Sequence, residues 1–203
     1  ISKIEAECQR QLSEALKSLE SSLAKIDQIK DNELQEVAGY KNYGTGLVLT
    51  LDLLLTFRHG NAFRTKKENI CEPTGDVKNP FKLSYKHAAI NDLNITEPKV
   101  FKEYFYSFKN EQRREHLKDK EMDKVLLAED LIKKNNMNRA MVDNASKAIG
   151  PCFDFIVGMI QFWHNSIEIV DPKKKEAAKT KIKKTEADRK LQEANEKLAK
   201  AEK

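Results

Sequence analysis

Leu12-Ser13-Glu14-Ala15-Leu16-Lys17-Ser18-Leu19-Glu20-Ser21-Ser22-Leu23-Ala24-Lys25-Ile26 sets its large apolar residues at positions 12, 16, 19, 23 and 26. That 4-3-4-3 spacing is a coiled-coil seam on one side of a helix. Ile1, Ile4 and Cys8 form an earlier 3-4 repeat that joins the seam only after a one-residue skip, which loosens the local register. A second heptad-bearing stretch closes the chain. There Leu191, Ala194, Leu198 and Ala201 repeat at 3-4-3, while Ala177, Ala178 and Ile182 upstream do not continue the frame. Two arms of nearly matched length, residues 1–36 and 172–203, are therefore separated by residues 37–171. Each seam is too narrow to bury alone, and folding one arm back on the other covers both. The expected fold is all-α: an antiparallel two-stranded coiled-coil stalk capped by a small helical bundle domain with an insertion. At about 1.5 Å per residue the stem would be roughly 45–55 Å long.

Composition agrees with a helical chain. Of 203 residues, 34% are charged, and only 7 are Gly and 5 Pro, which leaves few points at which helices must stop. There is no apolar run of about 18 residues, so no membrane span and no membrane partner are expected. The chain opens on Ile1-Ser2-Lys3-Ile4 without Met, as expected of a piece of something larger. Cys8, Cys71 and Cys152 are odd in number and lack metal-ligand spacing, which predicts free thiols in a reducing compartment. The net charge of +5 is uneven: residues 1–36 hold five basic and eight acidic side chains, residues 172–203 twelve basic and six acidic. Opposite charge favours pairing of the arms, although each exposed ion pair contributes little. The second arm's lysines are interleaved with Glu and Asp and carry no aromatic residues for base stacking, so no nucleic-acid partner is expected.

Between the arms, Gly39, Asn42, Gly44 and Gly46 interrupt the first helix before Leu47–Phe57. That run is apolar nearly all round and predicts a buried core helix. Residues 58–98 read as irregular, punctuated by Gly60, Pro73, Gly75, Pro80 and Pro98, with a basic patch at Arg58, Arg64, Lys66 and Lys67. So long a structureless stretch implies an insertion or a functional flap. Helical signals return over 97–117, with Val100, Phe101, Tyr104, Phe105 and Phe108 on one face, then over 119–134 and 138–146. A last long helix begins near Ser146 and carries Ile149, Cys152, Phe153, Ile156, Ile160, Trp163, Ile167 and Val170 at helical spacing. It runs towards the second arm with Pro172 at the junction, where a proline removes a backbone bond and kinks the helix.

No catalytic constellation is apparent, and neither an enzyme nor a cofactor is expected. Gly44-Thr45-Gly46 lacks the lysine and spacing of a phosphate loop. His59, His87, His116 and His164 have no partner at metal-ligand or triad spacing. Trp163 and the aromatics from Phe101 to Phe108 read as core.

Two stretches resemble the dynein heavy chain at its coiled-coil stalk and microtubule-binding tip. Ala15-Leu16-Lys17-Ser18-Leu19, leading to Leu34-Gln35-Glu36-Val37 with an apolar helix beyond, looks like the end of that family's first stalk strand. More specific is Asn144-Ala145-Ser146-Lys147-Ala148-Ile149-Gly150-Pro151-Cys152, followed by Phe162-Trp163 and Val170-Asp171-Pro172-Lys173-Lys174. This is similar to the Ser-x-Ala, Gly, aromatic and Val-x-Pro-Lys/Arg series with which the last tip helix becomes the second stalk strand. The matches cover roughly residues 12–57 and 131–203. The chain departs from the family in three places. Tyr43-Gly44 stands where a Pro-Pro pair is usual, Thr45–Leu51 lacks the usual basic contact, and residues 58–118 match the tip poorly and are longer.

The resemblance implies a first stalk strand at 1–36, a tip domain at 37–171 with an atypical region at 58–118, and a second strand at 172–203. It implies tubulin and the rest of the heavy chain as partners, in the cytoplasm and cytoskeleton or in the axoneme of a cilium. The ATP-driven ring would lie outside this segment, and sliding of one strand past the other would control track affinity. Lys147, in the matched Ser-x-Ala stretch, is the first candidate contact, with Lys41 and Arg139 beside it by neighbourhood. Arg58, Arg64, Lys66 and Lys67 are candidates for a supplementary electrostatic contact. A different reading is a coiled-coil scaffold or adaptor that recruits another protein through free seams on unpaired arms.

Overall fold

The computed structural model describes residues 2–41, 43–60, 83–170 and 172–202. Of these, the side chains of 2–5, 8, 83–87, 168–170 and 172–177 are not described. The described residues form helices and contain no strand, as the sequence predicts. In order they are α1 (Ser2–Asp27), α2 (Asp31–Gly39), α3 (Thr45–His59), α4 (Leu83–Leu93), α5 (Pro98–Tyr106) with a 3-10 turn at Ser107–Lys109, α6 (Glu111–Lys120), α7 (Met122–Lys134), α8 (Arg139–Ala145) with a 3-10 turn at Lys147–Ile149, α9 (Gly150–Val170) and α10 (Pro172–Ala201).

The core is built on α9. Ile149 and, along α9, Cys152, Phe155, Ile156, Met159, Trp163 and Ile167 are almost wholly buried, so this helix is covered on more than one side. α1, α3, α7 and α8 all pack against it. The predicted Leu47–Phe57 helix is α3, in which Leu47, Val48, Leu51, Leu53, Leu54, Leu55 and Phe57 are buried. Its Thr50 hydroxyl donates to the Gly46 carbonyl at 2.8 Å, which lets a polar residue sit in that core. α3 stops at Gly60, whose positive φ of 62° is a backbone conformation that glycine adopts without a Cβ penalty. Phe57, Phe108 and Phe155 form an aromatic cluster at centroid distances of 5.5–6.2 Å, extended by the edge-to-face contact of Phe105 on Phe155 at 5.3 Å.

Three sequence expectations change. Residues 58–98 are not irregular throughout. α4 occupies Leu83–Leu93, and Ala89, Ile90, Leu93 and Ile95 are buried in the core. The helix expected over 97–117 is broken at Asn110, whose side chain accepts from the Arg113 N–H at 3.2 Å and caps a new helix. The third change concerns the arms. α1 ends at Asp27, short of the expected boundary at 36, and Leu34 and Val37 of α2 are buried in the bundle of helices packed around α9, the head of the molecule.

The seam of α1 is real but meets another surface. Ala15, Leu19, Leu23 and Ile26 are buried, Leu12 and Leu16 half-buried, and the helix they line lies along α9. A Cβ placed on Gly158 would come within 3.2 Å of Leu19 Cδ2, so the helices touch closely there. α10 instead leaves along α7, with Ala178 buried and Ile182 half-buried. Further out Leu191 and Leu198 are 62% and 60% exposed. Among the described residues the expected pairing of the two arms is therefore not seen. α9 offers a wide stripe of Phe, Met and Ile, whereas the α10 seam offers two leucines and two alanines. Burial stabilises roughly in proportion to the apolar area covered, so α1 gains more on α9.

Candidate functional site

An open groove of about 790 Å³ lies between the α2–α3 connection and α8. Tyr40, Gly44, Thr45 and Gly46 form one wall, and Asn138, Met141, Asn144 and Ala145 the other. A Cβ on Gly46 would lie 3.6 Å from Ala145 Cβ, so small residues on both sides set the closeness of the walls. The connection is pinned from beneath. Tyr43 is buried, its hydroxyl donates to the Val37 carbonyl at 2.7 Å, and its ring meets Tyr40 edge-on at 6.5 Å. Burial pushes the Tyr43 phenol above its ordinary range, so it stays a neutral donor. On the opposite wall, Asn138 caps α8 by accepting the Met141 N–H at 2.9 Å.

Two of the expected contact residues flank this groove. Lys41 is exposed beside the lining residue Tyr40, and Lys147 is exposed in the 3-10 turn just beyond the lining residue Ala145. Arg139 has a different occupation. It bonds Asp143 at 2.8 Å and also reaches Asp154 on α9, and these two carboxylates hold its guanidinium above its ordinary range, that of Asp143 first. A Cβ on Gly150 would fall against both Arg139 Nε and Asp143 Oδ1, so glycine at the start of α9 leaves room for the clasp. Arg139 thus positions α8 and the turn bearing Lys147. Arg58 is also engaged, 5.0 Å over the Tyr104 ring and 4.0 Å from Asp92. Arg64, Lys66 and Lys67 lie outside the described residues.

A second constellation fastens the end of α1. Lys102 Nζ donates to the carbonyls of Asp27 (2.9 Å) and Ile29 (2.6 Å), and the Tyr106 hydroxyl donates to the Asp27 carboxylate. The first two bonds satisfy carbonyls near the helix C-terminus that have no partner within α1. Sequence reading missed this latch, because Lys102 and Asp27 are far apart in the chain and neither stands in a motif. A cavity of about 570 Å³ beside it is lined by Leu16, Leu19, Leu23, Tyr106, Phe108 and Arg114. Arg114 closes one end by donating to the carbonyls of Phe108 and Lys109, each at 2.9 Å.

Among the described residues no group of three or more His, Cys, Asp or Glu is placed to hold a metal ion, and no helix is long and apolar enough to cross a membrane. Cys152 is buried, and burial pushes its thiol far above the ordinary range, so it is an inert part of the core. No family model, no curated protein and no solved structure matches this chain.

Proposed function

We propose that this chain is the microtubule-binding tip of a dynein motor with the adjoining part of its stalk. The observation that supports the reading is a geometric relation on α9. This helix begins beside the groove flanked by Lys41 and Lys147, and it carries the seam of α1 along its flank. A push on α1 would be delivered to the helix that starts at the candidate contact face. Tubulin presents an acidic surface, and two exposed lysines on a pinned loop and a clasped turn suit it. No catalytic step belongs to this segment in the proposal; the ATPase would lie elsewhere in the parent motor, in the cytoplasm and cytoskeleton or the axoneme.

Coupling would act through the α1–α9 contact. Leu19 sits over Gly158, a position with no side chain to lock it, and the latch of Lys102 and Tyr106 joins the end of α1 to α5. Displacement of α1 would therefore pull on α5 as well as on α9. A tenfold change in track affinity needs a coupling of only about 1.4 kcal/mol, comparable to a few such contacts. Co-sedimentation with microtubules tests the reading. Lys147→Glu is expected to weaken binding about tenfold or more and Lys41→Glu to a similar extent, whereas Lys200→Glu on the far end of α10 should change little. Equal losses from all three would leave only diffuse electrostatics, and the proposed face would be withdrawn.

One observation favours a second reading, a coiled-coil scaffold or adaptor. Leu191 and Leu198 are exposed on α10, as a recruiting seam requires. Concentration-dependent capture of a helical partner that is abolished by Leu191→Asp would support it.

A further inference from the structure

We propose that the first half of α10 is a binding face for an acidic polypeptide segment, separate from the groove between α3 and α8. Ala177-Ala178-Lys179-Thr180-Lys181-Ile182-Lys183-Lys184-Thr185 contains four lysines and no carboxylate. Over residues 172–185 the balance is seven basic to one acidic, whereas residues 186–203 hold five of each. The excess charge of this helix is thus confined to the half that rests on the head.

All four of these lysines are exposed, and none makes an ion pair among the described residues. Elsewhere some lysines are paired, as Lys118 is with Glu115 at 2.7 Å and Lys134 with Asp130 at 2.8 Å. The supporting helix does not neutralise the patch either. On α7, Glu129 is already bonded to His164 at 2.6 Å and lies 3.7 Å from Lys133, and Asp130 is taken by Lys134. Lys179 and Lys183 stand four apart on the helix, where like charges repel and weaken it. Ala178 and Ile182 pack towards the core and hold this repelling surface in place. An anionic partner would turn that repulsion into attraction.

The chemistry of the patch selects among anions. All its cations are lysines. Bidentate recognition of phosphate favours arginine, and stacking of bases needs aromatic rings, which are absent here. Its described apolar residues, Ala178 and Ile182, face the core, so neither is free to insert into a lipid surface. Flexible, separate ammonium groups suit an extended Glu- and Asp-rich chain that adapts to them one by one.

Fluorescence anisotropy with a labelled poly-glutamate peptide tests this on the whole chain, without microtubules. The wild-type protein should bind at low ionic strength and release the peptide as salt rises through the physiological range. Replacing Lys179, Lys181, Lys183 and Lys184 together by Gln, which preserves helix propensity, should lower affinity about tenfold or more. Circular dichroism checks that the helices persist. Lys197→Gln with Lys200→Gln on the far half of α10 should leave peptide binding unchanged, and because no microtubule is present, failure here is distinguishable from failure of the microtubule reading. Equal binding by wild type and the fourfold variant overturns the proposal. So does absence of binding by the wild type, and so does tighter binding of a single-stranded RNA or a phosphatidylserine vesicle at the same salt.

Discussion

α1 and α10 carry seams written in the same heptad grammar, yet one is buried and the other faces solvent. Leu19, Leu23 and Ile26 are 4%, 4% and 0% exposed, against 62% and 60% for Leu191 and Leu198. The difference lies in what each helix meets. α1 crosses a helix apolar on several sides at a glycine, whereas α10 passes only its first half over α7 and then leaves the head. A heptad repeat identifies a stripe that must be covered, and it does not identify what covers it. Opposite charge on the arms argued for their mutual pairing, but exposed ion pairs of about 0–1 kcal/mol do not compete with burial of Leu and Ile side chains worth roughly 1.5–3 kcal/mol each.

The sharpest way to break this contrast is truncation at the buried seam. Ile26→Ala removes a fully buried side chain under the latch at Asp27 and should cost about 2–5 kcal/mol in chemical denaturation. Leu19→Ala should fall in the same range but lower in it, because the neighbouring cavity beside Leu16 and Leu23 already leaves one side of it open. Loss of less than about 0.5 kcal/mol at both positions would mean that α1 is not held on α9, and the mechanical route to the groove would go with it.

The clasp at the groove offers a smaller effect with a built-in control. Gly150→Ala places a methyl group where Arg139 Nε and Asp143 now meet, so it should displace the guanidinium and cost about 1–2 kcal/mol. Arg139→Ala alone should cost about 1 kcal/mol, since the pair is partly exposed and screened. In the double variant the methyl group no longer displaces a guanidinium and meets only Asp143, so the two losses should add to less than their sum. Full additivity would show that Gly150 is needed for some other reason.

Legibility followed the length scale of each feature. The buried helix at Leu47–Phe57 and the aromatic face at Phe101–Phe108 were readable, because continuous apolar character and local spacing are properties of one segment. The break at Asn110 and the caps at Asn110 and Asn138 were local as well, but neither an Asn between Lys109 and Glu111 nor the last of three in Asn135-Asn136-Met137-Asn138 stands out before its acceptor geometry is known. α4 was hidden by its prolines and glycines upstream and by a short apolar set, Ala89, Ile90 and Leu93, that gains meaning only against α3. Of the candidate contacts, Lys41 and Lys147 flank one groove, while Arg58 and Arg139 are consumed by Tyr104, Asp92, Asp143 and Asp154. A basic residue in sequence says nothing of whether a carboxylate or a ring waits for it in space.

The smallest expected effect is also the one that separates the readings of the exposed arm. Leu191→Ala with Leu198→Ala removes two side chains that touch little in this chain, so monomer stability should change by no more than about 0.5 kcal/mol and helicity should persist, Ala being the better helix former. If α10 recruits another helix, the same double variant should lose that partner while microtubule binding is unchanged. If instead the variant lowers the melting temperature by several degrees, the seam is already covered in solution. For a chain of this size that shift corresponds to about 1–2 kcal/mol, more than two solvated leucines can contribute. The contrast between the arms would then be one of partner, α9 for the first and a second helix for the other, and no longer one of burial against exposure.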